Sequence, residues 1–184
     1  MSKAFLLLLL LGRFDNDCQE LVPRSASQPA AGVTRVVIVA RAGFLHVEGK
    51  SGAKAIVADG MACAAIEELL VGIRLEATRS GSTVTVDAQV PKDQPSRPFA
   101  KEPKLDVTIT LPPAVDVVIA DTSGDIRVRH LAGNLRIADT SGEIDVDDIG
   151  GDFTVEIKKG SGAIRHTRVR GRVSLPTSRS SPPR

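Results

Sequence analysis

The stretch IADTSGDIRV begins at Ile119, and IADTSGEIDV begins eighteen residues later at Ile137. Each sets an aspartate, Asp121 or Asp139, before Thr, Ser and Gly. Two acids in Asp-Thr/Ser-Gly loops are the equipment of an aspartic protease, where carboxylates about 3 Å apart share one proton. That chemistry needs the loops to face each other from two lobes of a long chain. Here the loop is Asp-Thr-Ser-Gly, one residue too long, and its two copies stack on one face. The next repeat carries Lys159 and Gly160 where Asp and Thr stand. Asp and Ser also favour turns by bonding nearby backbone, and Gly accepts angles that other residues resist. The repeat therefore reads as turn chemistry, and no catalytic residue is assigned.

The remaining reactive side chains form no constellation either. A repeats-in-toxin calcium loop needs Gly-Gly-x-Gly-x-Asp, so that carboxylates and carbonyls of adjacent turns surround the ion. Gly124 is instead followed directly by Asp125 and Gly142 by Glu143, while the acidic pair Asp147 and Asp148 has Arg129 as its expected neighbour. His46, His130 and His166 are scattered in the chain. His166 takes an inward position of its repeat and has no visible nucleophile or base beside it. Lys158, Lys159, Arg165, Arg168, Arg170 and Arg172 make the last turn basic, which fits a solvated end or a surface for an acidic polymer. No cofactor and no metal is expected. Cys18 and Cys63 allow one disulfide in an exported protein, or two unpaired thiols. With five Phe, no Trp, no Tyr and a net charge of +2, the composition counts against base-stacking platforms and against nucleic acid as a partner.

The elements that would carry these residues repeat. GDIRV, GNLRI, GEIDV, GDFTV, GAIRH and GRVSL start at Gly124, Gly133, Gly142, Gly151, Gly162 and Gly171, with apolar residues at the third and mostly the fifth positions. Period-two alternation of this kind marks a half-buried strand. Leu131, Ile149 and Val169 follow only alternate units, so one turn is eighteen residues, or twenty where Lys158-Lys159 inserts. At that spacing Ile126, Ile144 and Ile164 stack inward, as do Leu135, Phe153 and Val173, with Ile137, Val155 and Leu175 beside them. Outside, Arg127 falls beside Asp145 and Asp145 beside Arg165, while Arg129 falls beside Asp147. The fold class expected is all-β: a short right-handed single-stranded β-solenoid of 18–20-residue turns over residues 105–175.

A smaller β-rich region, residues 33–90, precedes it. It carries two short strands meeting near Gly43, a third strand in AKAIVADG, and a hairpin turning at Ser80-Gly81. Ile66, Leu69, Leu70 and Ile73 lie at the spacing of one face of a short helix. Residues 91–104 read as a linker and 176–184 as a disordered, Pro-rich tail. At the N-terminus, Lys3 and the apolar run Ala4–Leu11 have the pattern of a secretory signal and are too short to span a bilayer. Residues 1–27 are grouped as this signal-like segment, although Arg13, Asp15 and Asp17 occupy the region where cleavage is expected to be neutral; Ser25-Ala26-Ser27 is small enough for a cut but lies far downstream.

VVIVARAGFLHVEG, ACA around Cys63, IRLEA, and repeats of the TSGDIRV and GDFTV type resemble the bacterial putative adhesin family, with its uncharacterised, head GIN-like adhesin domain. The resemblance implies an exported or cell-envelope β-solenoid without established catalysis and transfers no site residues. The function expected is a periplasmic, secreted or envelope-bound binding and adhesion surface. Its partner would be an envelope or surface protein or polysaccharide; the mature chain would not be transmembrane and can associate end to end. The competing expectations are a polysaccharide-modifying β-helix enzyme and a self-assembling structural protein.

Overall fold

A computed structural model describes residues 18, 20–91, 102–157 and 163–176. The apolar N-terminal run, most of the expected linker, Lys158 to Gly162 and nearly all of the C-terminal tail lie outside the described residues. The described residues are all-β with one short helix. Its elements are β1 (Glu20–Pro29), β2 (Arg35–Val39), β3 (Leu45–Gly49), β4 (Ala55–Ala64), α1 (Glu67–Leu70), β5 (Arg74–Ser80), β6 (Thr83–Gln89) and β7 (Lys104–Leu111). Then follow β8 (Asp116–Ala120), β9 (Ile126–Leu131), β10 (Leu135–Asp139), β11 (Ile144–Ile149), β12 (Phe153–Ile157), β13 (Ile164–Val169) and β14 (Val173–Ser174).

They form two mixed seven-stranded sheets and no closed barrel. The first runs β1-β4-β7-β3-β9-β11-β13 and the second β14-β12-β10-β8-β2-β6-β5. From β8 onward each successive strand enters the other sheet, and strands of one sheet pair in parallel. Ile144 pairs with Ile126 and Ile164, and Phe153 with Leu135 and Val173, in the register read from the eighteen-residue spacing. Inward side chains of both sheets make one aliphatic core, with Ile38, Leu45, Ile109, Ile119, Leu135 and Phe153 among its fully buried members.

Two local devices turn the chain between sheets. Gly43, Gly124 and Gly142 stack at φ +117°, +126° and +148°, and a Cβ on Gly142 would lie 1.8 Å from the Gly124 carbonyl oxygen. Only glycine fits that approach. Opposite them, His130, Asp148 and Arg168 take left-handed angles of 56°, 58° and 51°. They occupy equivalent places in β9, β11 and β13. Each interrupts the strict alternation, which is why Leu131, Ile149 and Val169 point to the core from the seventh place after their glycine rather than the sixth.

The residues 33–90 do not stand apart as a preceding region. β2 and β3 sit inside the two sheets, β3 between β7 and β9 and β2 between β6 and β8. The chain begins a layer there, builds outward through β4 to β7, and returns past that layer to β8. Antiparallel strands β1, β4 and β5 then cover one end. Glu20–Ser27, grouped with the N-terminal signal by sequence, belong to β1 and pair with β4. The helix is shorter than its apolar spacing implied: Ile66 caps it without a side-chain hydrogen bond, and only one turn forms. Leu69, Leu70 and Ile73 are nevertheless buried as that spacing requires.

Candidate functional site

Asp121 follows β8, and Asp139 ends β10. The pairing of these strands stacks them one layer apart on the same corner, with Ala40 above and Ile157 below. The residue stacked beneath Asp139 is therefore Ile157, not Lys159. The longer turn places its two extra residues after β12, so the strand itself keeps the eighteen-residue spacing. Asp121 Oδ1 accepts the Thr122 N–H at 2.7 Å; Asp139 Oδ1 accepts the Thr140 N–H at 2.6 Å and the Ser141 N–H at 3.2 Å. These are the backbone bonds that Asp brings to a turn. The carboxylates are buried at 7% and 0% exposure, and neither Oδ2 has a hydrogen-bond partner. Burial pushes Asp121 up to about 7, with the Asp139 charge adding to the rise, and burial raises Asp139 as well. The pair lies side by side under cover, without the opposed loops and open cleft that proteolysis demands.

The outer face of the first sheet carries the charged columns. Asp145 sits between Arg127 and Arg165 in the register, and Arg127 Nε donates to it at 3.3 Å. Arg165 turns to Glu143 at 3.5 Å. Arg129 is beside Asp147 in register, but its guanidinium reaches Asp145 at 4.0 Å, and Asp147 is taken by Arg168 and Thr167. The left-handed backbone at Arg168 swings that side chain onto the neighbouring strand, which spacing along the chain does not reveal. Its hydrogen bond, with that of Thr167, holds the Asp147 carboxyl at about 2. Asp148 pairs with Arg170 at 3.0 Å. Both acids thus have cationic partners, and among the described residues no three ligating side chains converge as a metal site.

Two of the histidines, scattered in sequence, meet across β3 and β9. Glu48 lies 3.3 Å from His46 Nε2 and 2.9 Å from His130 Nδ1. His166 keeps its inward place, paired with the buried Val146 and with its ring edge-on to Phe153 at 6.2 Å, but it is exposed because no described strand covers β13. Beside the His46–Glu48 pair, the same face dips into a groove of about 660 Å³ over β1, β4, β7 and β3. Phe44, Met61 and Pro23 belong to its apolar lining, and Arg24, Ser25, Asp59, Asp106 and Thr108 to its polar one. Asp106 is fixed by the Phe44 N–H at 2.8 Å and by Lys104 at 3.2 Å. Arg127 lies over the Phe44 ring at 5.7 Å. Sequence reasoning missed this groove, since its walls come from strands up to 85 residues apart, such as Pro23 and Thr108. Cys18 and Cys63 are joined by a disulfide at a Cα–Cα distance of 5.4 Å. Among the described residues no helix is long and apolar enough to cross a membrane.

No family model matches the chain, and no curated protein does. Among solved structures the chain is similar to a putative cell adhesion protein from Clostridium sporogenes (11% identity, TM-score 0.43, 84% of this chain and 99% of that one) and a putative adhesin from Bacteroides fragilis (10%, 0.33, 87% and 99%). It is also similar to a putative lipid binding protein from Parabacteroides distasonis (13%, 0.36, 83% and 59%).

Proposed function

We propose that this chain is an exported, envelope-associated right-handed β-solenoid that binds a surface protein or polysaccharide without transforming it. The observation behind this reading is the outer face of the first sheet, where the groove around Phe44 and Met61 adjoins straight columns of charged side chains. The groove has apolar floor and fixed acceptors together, the mixture a recognition surface needs. Pull-down against envelope components tests it: wild type captures a partner, and Phe44→Ala with Asp59→Ala loses it while the fold is kept. Capture unchanged by both substitutions defeats the assignment of the face.

Export is supported by the signal-like residues before the first strand and by the Cys18–Cys63 bridge, since such bridges persist in oxidising compartments. Processing upstream of Cys18 fits this reading, since a cut after Ser27 would remove most of β1 and half of the bridge. Mass measurement of the mature chain after fractionation decides this. A chain retained whole in the cytosol overturns export.

A structural, self-assembling role is the second reading, favoured by the β13 and β14 edges, which no further strand pairs among the described residues. Concentration-dependent sedimentation distinguishes it.

A further inference from the structure

We propose that Asp121 and Asp139 form a proton-holding pair in the folded chain, and that loss of the proton destabilises the fold at the corner between the sheets. The inference is independent of any partner on the outer face. It starts from geometry: two carboxylates, stacked on adjacent strands, each with one oxygen committed to its own turn and the other buried without a partner. A buried carboxylate that cannot reach water or a cation is stabilised by protonation.

The surroundings supply no counter-charge among the described residues. Ala40 and Ile157, above and below, are uncharged. On the preceding layer, Arg41 offers this corner only its carbonyl, which accepts the Ser123 hydroxyl at 3.0 Å; its guanidinium binds Asp87 at 2.6 Å and the Ala88 carbonyl. Just beyond these turns, Asp125 accepts the Glu143 N–H, and both of these acids are exposed. Lys158 and Lys159, after Ile157, lie outside the described residues. The charge that acts on Asp121 is that of Asp139, and it too favours the protonated form.

The direction of the linkage follows. A folded-state value raised above the ordinary one means that the folded chain binds more protons than the unfolded chain between the two values. Stability from the pair is fully present below the ordinary carboxylate range, falls as pH rises toward about 7, and stays reduced above it.

Carboxyl carbon NMR of the full chain, titrated from about pH 4 to about pH 9, reads the pair directly. Asp121 is expected to titrate with a midpoint near 7 and Asp139 above its ordinary 3.8. In Asp139→Asn the Asp121 midpoint drops but stays raised, because burial remains. In the double variant Asp121→Asn/Asp139→Asn the fall in thermal midpoint between about pH 5 and about pH 8 shrinks relative to wild type. Both carboxyls titrating near 3.8 in wild type overturns the proposal, whether or not the variants fold.

Discussion

The two ends of the strand stack solve the same problem differently. At the end built from β1 and β5, side chains of each strand bond backbone carbonyls in or beside the other. Arg24 donates to the Ile73 and Leu70 carbonyls at 3.0 and 3.2 Å, Gln28 to Ala77 at 2.8 Å, and Arg79 to Ala31 at 2.8 Å. Leu69 and Leu70 of α1 are buried there, and the disulfide ties Cys18 to β4. At the other end, β13 and β14 carry the same sequence pattern with no strand beyond them among the described residues. Phe153 is fully buried, whereas Val173, next in its column, is 37% exposed. An inward-pointing residue is buried only when a further layer covers it, so the repeat pattern alone does not make a finished end.

The contrast predicts a graded set of losses. Phe153→Ala empties a filled core site and is expected to cost about 3–5 kcal/mol in urea unfolding. Breaking the bridge at the sealed end, by Cys63→Ser or by reduction, removes a constraint across 45 residues and is expected to cost roughly 4 kcal/mol on the chain-entropy account. Should reduced and oxidised protein unfold at the same denaturant concentration, the seal does not depend on the bridge. Arg24→Ala takes the side-chain donor from the Ile73 carbonyl, while Leu70 still accepts the Ile73 N–H; a loss of about 1–3 kcal/mol is expected, with faster hydrogen exchange in β5. Val173→Ala, at the open end, is expected to change stability by less than about 1 kcal/mol. A loss there as large as at Phe153 would mean that the end is covered after all.

Much of the second half was legible because its information is local. Alternation within GDIRV or GEIDV, and recurrence at eighteen, placed Ile126 on Ile144 and Arg127 beside Asp145 without reference to anything distant. β1 was not legible: ELVPRSASQP holds two prolines and little apolar alternation, and it is a strand because β4 offers it an edge. The interleaving of β2 and β3 was hidden for the same reason, since nothing in RVVIV says which strands will flank it. Side-chain partners were less predictable than register. Arg168 reaches Asp147 through a left-handed backbone, and His46 and His130 meet on Glu48 only once β3 and β9 lie together. The burial of Asp121 and Asp139 was likewise invisible, because a turn-forming Asp and a buried one are the same letter.

The column Arg127, Asp145, Arg165 also amounts to a ruler. Adjacent strands lie about 4.8 Å apart, so charges of like sign recur on this face about every 10 Å, with the opposite sign midway between. A flexible polyanion would meet repulsion at Asp145 between the two attractions of Arg127 and Arg165. A partner whose own charges alternate at the matching interval, such as the edge of another regularly stacked sheet, would meet attraction at every step.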